Sequence, residues 1–109
     1  MTTLPGTPRL RAPARAPPGE VIELRTLIDH PMETALRHDA SPAPPRDMIA
    51  RLELRRDGAL FFAADLRNGT AANPYHVVWL RLDQSATITA TWTDERGRTA
   101  TATARITVA

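Results

Sequence analysis

The sequence predicts an all-β protein, a single-domain immunoglobulin-like antiparallel β-sandwich of about seven strands. Apolar and polar residues alternate over several short stretches, which is the period of a strand with one buried face. Turn-forming residues separate these stretches, and no stretch keeps a helical period. The 109 residues are enough for one hydrophobic core. Short strands and turns in a chain of this length are typical of two packed antiparallel sheets.

The N-terminal segment is an arm rich in proline and arginine, which we assign to residues 1–18. Within the arm, only residues 8–12 are extended enough to pair as an edge strand. The sandwich domain then covers residues 19–109. Its first strand is expected at residues 20–28, where one face carries Ile22, Leu24, Thr26 and Ile28.

The next elements form a predicted hairpin. Its arms are residues 48–55 and 59–66, joined by a turn at Arg56, Asp57 and Gly58. In the first arm, Ile49 is expected on the outer face because the alternation assigns the inner face to Met48, Ala50, Leu52 and Leu54.

The last third of the chain is expected to hold a separate strand and a second hairpin. The strand covers residues 75–83, and the hairpin pairs residues 86–92 with residues 100–108. Asp94 and Glu95 fall in the turn of this hairpin. We interpret them as solvated turn charges, since a pair of catalytic carboxylates has no other support in the sequence.

The composition excludes several classes of function. No cysteine is present, so any cysteine chemistry must belong to a partner. A net charge of only +2 gives no reason to expect nucleic acid as a ligand. No apolar run approaches the roughly 20 residues that span a bilayer, so no membrane contact is expected. The arm has no apolar segment behind its basic residues, which predicts no secretory signal and, from composition alone, a cytoplasmic chain.

No catalytic residue and no cofactor are predicted, because the sequence has neither a nucleophile elbow nor a glycine-rich phosphate loop. The long connection at residues 30–47 does contain four possible metal ligands: His30, Glu33, His38 and Asp39. Their spacing matches no rigid ligand motif, so we predict no metal. A small metal-binding redox module built on residues 30–39 remains an alternative function.

Two predicted strands carry apolar side chains on both faces. Tyr75, Val77 and Trp79 lie opposite the inward face of their strand, and Phe61 lies opposite Leu60 and Phe62. A sandwich covers only one face of each sheet, and exposed apolar surfaces often bind other proteins. We therefore predict a partner-binding surface formed by Phe61, Tyr75, Val77 and Trp79, with coverage by the arm or the long loop as the alternative.

Two short motifs resemble the SoxZ family. The first is His-Pro-Met-Glu-Thr at residues 30–34, directly after the opening strand, and the second is Ala-Asn-Pro-Tyr at residues 72–75. The similarity extends from about residue 9 to the C-terminus. The family-motif residues carried over from it are His30, Pro31, Met32, Glu33, Asn73 and Pro74.

The resemblance implies an immunoglobulin-like subunit that is not an enzyme. SoxZ-like proteins pair with SoxY, which carries sulfur intermediates on a cysteine during thiosulfate oxidation. The expected partner is therefore a SoxY-like subunit, in a heterodimer or larger assembly, with indirect contact to other Sox enzymes. The expected location is the periplasm, reached by co-export with the signal-bearing partner, or the cytoplasm if the chain is unpartnered. A structural interaction domain of another assembly is a further alternative, because it would share the fold and the apolar face.

Overall fold

The computed structural model describes residues 7–29, 49–66 and 75–109. These ranges contain eight strands and no helix, and hence no helix that could cross a membrane. The strands are β1 Thr7–Arg11, β2 Arg15–Ala16, β3 Val21–Asp29, β4 Ile49–Arg56, β5 Ala59–Asp65, β6 Tyr75–Arg81, β7 Ala86–Asp94 and β8 Thr99–Val108.

The strands form two sheets, which confirms the predicted β-sandwich. One sheet has three strands in the order β1-β3-β6, and the other has five in the order β2-β8-β7-β4-β5. All pairs are antiparallel except the short pairing of β2 with β8. The N-terminal arm contributes to both sheets, because the chain crosses from β1 to β2 over residues 12–14, and residues 8–12 overlap β1.

This crossing fixes which edges of the two sheets are neighbours. β1 and β2 are consecutive in the chain, and β1 contacts β8, so these strands lie on the same side of the sandwich. The remaining edges are β6 in the three-stranded sheet and β5 in the five-stranded sheet. Both edges therefore lie on the opposite side.

The core lies between the sheets and has Trp92 at its centre. Trp92 is completely buried, and the alternation of β7 also turns Ala86, Ile88 and Ala90 inwards as predicted. Side chains from β3, β4 and β8 complete the core, including Leu24, Ile28, Leu52, Leu54 and Ile106. Each large aliphatic side chain buried in this way stabilises the fold by about 1.5–3 kcal/mol.

The β4–β5 hairpin turns where the sequence predicts it. Asp57 and Gly58 both have positive φ, at 48° and 87°, as the two central residues of a type I′ turn require. Asp57 also joins the hairpin to β7, since its Oδ1 accepts a hydrogen bond from Thr87 N at 2.9 Å.

Two register shifts in β4 correct the sequence-based assignment of faces. The first, between Ile49 and Arg51, reverses the alternation locally, so Ile49 is fully buried and not on the outer face. The second, between Leu54 and Arg55, pairs these residues with Phe62 and Leu60. Phe61 then has no partner opposite it, and Leu60 and Phe61 are both exposed although the sequence placed them on opposite faces.

Candidate partner-binding face

The outer face of the three-stranded sheet carries a row of apolar side chains on its edge strand. Alternation along β6 turns Val78 and Leu80 towards the core. The intervening side chains project into solvent, with Trp79 63% exposed, Tyr75 53% and Val77 40%. We refer to Tyr75, Val77 and Trp79 as the β6 ridge. Aromatic side chains this exposed are typical of binding surfaces, where they supply a large share of the affinity.

The neighbouring strand places charged and apolar side chains beside the ridge. Across the β3–β6 pairing, Glu23 is opposite Trp79, Arg25 is opposite Val77, and Leu27 is opposite Tyr75. Arg25 Nε donates a hydrogen bond to the Glu23 carboxylate. This bond and the negative charge of Glu23 raise the pKa of the Arg25 guanidinium. The face therefore combines apolar side chains on β6 with charged side chains on β3, and non-obligate interfaces likewise combine apolar with polar surface.

Phe61 does not lie on this face. It belongs to β5, the edge strand of the five-stranded sheet, where it and Leu60 form a second exposed apolar patch. The structure brings Tyr75, Val77 and Trp79 together as the sequence predicted, and it separates Phe61 from them. Because β5 and β6 occupy the same side of the sandwich, a partner would have to wrap around that edge to contact both patches.

The family-motif residues His30, Pro31, Met32, Glu33, Asn73 and Pro74 lie outside the described residues, as do the candidate ligands His38 and Asp39. Within residues 7–29, 49–66 and 75–109, no group of three or more His, Asp or Glu side chains could hold a metal ion.

His76 is the one histidine in the described part of the chain. It lies on the inner side of β6, where burial lowers the pKa of its imidazole. Its Nδ1 is buried and has no hydrogen-bond partner among the described residues. The neighbouring Thr26 Oγ1 donates a hydrogen bond to the backbone carbonyl of His76 at 3.3 Å.

Asp94 contradicts its interpretation as a solvated turn charge. The residue is 2% exposed, and its Oδ1 accepts hydrogen bonds from the backbone amides of Arg96 and Arg98. These bonds close the β7–β8 turn, so the role of Asp94 is structural. The sequence did contain a signal for this burial, because Asp94 continues the two-residue period that turns Ala90 and Trp92 inwards.

Comparison with known proteins identifies the family. The sequence matches the family model described as sulphur oxidation protein SoxZ over residues 10–105, nearly the whole chain. The chain belongs to the SoxZ family. It is therefore a protein of the Sox sulfur-oxidation system, as the two motifs suggested. No match was found among curated protein sequences.

Solved structures with the same fold include three different kinds of protein. The superoxide reductase (neelaredoxin) from Ignicoccus hospitalis has a TM-score of 0.73 and 21% identity over 94% of this chain and 80% of that chain. The sulfur carrier protein SoxY from Chlorobium limicola f thiosulfatophilum has a TM-score of 0.67 and 11% identity, over 94% of this chain and 78% of that chain. The CARDB domain of a Pyrococcus furiosus protein has a TM-score of 0.61 and 11% sequence identity, over 100% of this chain and 98% of that chain. At these identities the likeness concerns the fold alone.

Proposed function

We propose that this SoxZ-family chain is the non-catalytic subunit of a sulfur carrier complex and binds a SoxY-like partner through the β6 ridge. The observation that best supports this proposal is the solvent exposure of Tyr75, Val77 and Trp79 on one edge strand of a SoxZ-family chain. Among the described residues β6 pairs only with β3, so the ridge lies at a sheet edge that a second protein can reach.

The physical case for binding at the ridge rests on water-exposed apolar area. Burying apolar surface is favourable by roughly 25 cal/mol per Å², and aromatic side chains contribute most of it per residue. Trp79 is the most exposed member of the ridge, so its burial would contribute the most binding free energy. The polar neighbours Glu23 and Arg25 would form part of the rim, where charges orient the partner more than they tighten the complex.

The composition indicates which subunit of the complex would hold the sulfur intermediate. The 109 residues contain no cysteine, so a cysteine-bound sulfur intermediate would be held by the partner. This chain would then support the carrier and form part of the surface that the other Sox enzymes meet. Its expected location is the periplasm, reached by export together with the partner. Cell fractionation with and without the partner's signal segment tests that location.

The alternative functions make different demands. A metal-binding redox module would use residues 30–39, and superoxide reductases have a similar fold. Metal analysis of protein purified without a histidine tag distinguishes the redox module from the proposed carrier subunit. The redox module requires one tightly held metal ion per chain, whereas we expect none. A structural interaction domain of another assembly would use the same ridge but would not co-purify with a SoxY-like protein.

Titration of Trp79→Ala against the SoxY-like partner tests the proposed function. We expect a loss of about 2 kcal/mol in binding, roughly thirtyfold in affinity, because a central interface tryptophan is lost. Thermal unfolding of the isolated variant should match the parent, since Trp79 is largely exposed. Thr103→Ala, on the outer face of β8 in the other sheet, is the control and should bind normally. Unchanged binding by Trp79→Ala would refute the assignment of the face.

A further inference from the structure

A row of arginines lies beside the β6 ridge on the same outer face. Arg9 and Arg11 project from β1, and Arg25 projects from β3. Arg11 is opposite Arg25, which is itself opposite Val77. Adjacent strands lie about 4.8 Å apart, so the arginines of β1 are roughly 10 Å from the ridge. We refer to Arg9, Arg11 and Arg25 as the arginine row.

The arginine row encloses a cavity that also touches the ridge. The cavity has a volume of about 190 Å³ and is lined by Arg9, Arg11, Arg25, Leu27 and Tyr75. Leu27 pairs with Arg9 on one side and with Tyr75 on the other, so it forms the apolar centre of the cavity. Tyr75 belongs to both features, which makes the cavity and the proposed partner-binding ridge one continuous surface.

The positive charge of this surface has little compensation among the described side chains. Arg25 is paired with Glu23, whereas Arg9 and Arg11 make no ion pair or hydrogen bond with any other described side chain. Arg11 and Arg25 carry like charges and lie directly opposite each other on the neighbouring strands β1 and β3, and such a pair destabilises a sheet. An anion supplied from outside the chain would remove that repulsion.

This face also carries an excess of positive charge among its described side chains. Its described side chains include four arginines and one glutamate: Arg9, Arg11, Arg25, Arg81 and Glu23. Their formal net charge is +3, from four arginines and one glutamate. A patch of this kind attracts an acidic surface and orients it during encounter.

We propose that the arginine row receives an acidic segment of the SoxY-like partner, whose carboxylates pair with Arg9 and Arg11. The inference rests on the proposed function and specifies the chemistry of the partner's surface. Guanidinium groups bind carboxylates through two parallel hydrogen bonds. Arg9 and Arg11 are two residues apart on one strand face, about 7 Å, which matches acidic residues two apart in an extended segment. Docking of the ridge excludes water from the adjoining cavity.

Two double charge reversals with the same net charge test the proposal. Arg9→Glu with Arg11→Glu alters the arginine row, and Arg56→Glu with Arg105→Glu alters exposed arginines of the five-stranded sheet. Each pair takes the formal charge from +2 to −2, so only the position of the change differs. Association with the SoxY-like partner is followed by stopped flow at 0.1 M and 1 M NaCl, where the Debye length is about 10 Å and 3 Å.

We expect the arginine-row variant to associate at least about tenfold more slowly than the parent at 0.1 M NaCl, with the difference largely lost at 1 M. The control variant should differ from the parent by less than about twofold. If charge reversal disturbs β1, the variant with Arg9→Gln and Arg11→Gln replaces it in the experiment. This neutral variant should slow association by a smaller factor.

Equal slowing by both charge reversals would mean that only the net charge matters, and this would overturn the inference. So would an arginine-row variant that associates at the parental rate. If that variant binds normally while Trp79→Ala binds weakly, the arginine row has no role and the proposed function survives. If the parent forms no complex with the partner, the proposed function fails and the inference fails with it.

Discussion

The buried Asp94 forms an ion pair with the partly buried Arg98 across the β7–β8 turn, with 2.7 Å between Arg98 Nε and Asp94 Oδ2. The other carboxylate oxygen accepts hydrogen bonds from the amides of Arg96 at 2.9 Å and Arg98 at 2.8 Å. Removing a carboxylate from water is costly, and three charge-assisted hydrogen bonds offset that cost. The turn therefore depends on a charge at position 94 and not merely on a turn-forming residue.

Replacing Asp94 by asparagine should destabilise the fold by about 2–3 kcal/mol. The substitution keeps the size of the side chain but removes the charge that compensates the Arg98 guanidinium. Urea unfolding of Asp94→Asn and of the parent measures the difference. Glu95→Gln is the control, because Glu95 is the exposed neighbour in the same turn, and exposed charge interactions are worth at most about 1 kcal/mol. Equal effects of the two substitutions would contradict a structural role for the Asp94 carboxylate.

His76 should make the stability of the fold depend on pH. Burial lowers its pKa in the folded chain below the value of about 6.5 expected when unfolded. The unfolded chain therefore takes up the proton more readily than the folded chain. Neutral His76 makes its full contribution to the free energy of unfolding above about pH 6.5. It is lost as the pH falls through the lower folded pKa.

The free energy of unfolding, measured in urea between pH 8 and pH 5, tests this dependence. The parent should lose up to about 1.4 kcal/mol per pH unit more than His76→Gln, which cannot titrate in this range. Carboxylates titrate equally in both proteins and cancel in the comparison. Parallel pH profiles for the two proteins would show that His76 is not the responsible group.

Phe61 and Trp79 should contribute differently to partner binding. The two residues lie on different sheets, so a partner docked on the three-stranded sheet contacts Trp79 and leaves Phe61 in water. We expect Phe61→Ala to reduce affinity by less than about threefold, against roughly thirtyfold for Trp79→Ala. Calorimetric titration of both variants gives the comparison. Similar losses would indicate an interface that wraps around the β5 and β6 edges.

The sequence predicted those features that depend on a single strand. The alternation of β7 and β8 gave their inner faces correctly, and the pattern of β6 identified Tyr75, Val77 and Trp79 as outward-facing. A strand's own pattern does not contain its pairing register, so the shifts that bury Ile49 and expose Leu60 could not be predicted. Strand order is also absent from such patterns.

Asp94 and the arginine row illustrate the same limit for charged residues. The alternation of β7 places Asp94 on the inner face, but a turn aspartate next to arginines is usually solvated. The two backbone amides and the Arg98 guanidinium that make its burial tolerable lie against it only in the folded turn. Arg9 and Arg11 are 14 or more positions from Arg25 in the chain. They become neighbours only because β1 pairs antiparallel with β3, and that pairing is a tertiary contact.

Sulfur loading should modify the partner and leave this chain unchanged. No residue among the 109 has a thiol, and neither hydroxyl nor imidazole groups form a stable persulfide. The reconstituted complex is incubated with thiosulfate and the loading enzymes, and the separated subunits are weighed by intact-mass spectrometry. The expected result is a sulfur-sized mass gain on the partner, abolished when the partner's carrier cysteine is replaced by serine. The same mass gain on this chain would refute its role as the supporting subunit, because the intermediate would then be attached to the wrong half of the complex.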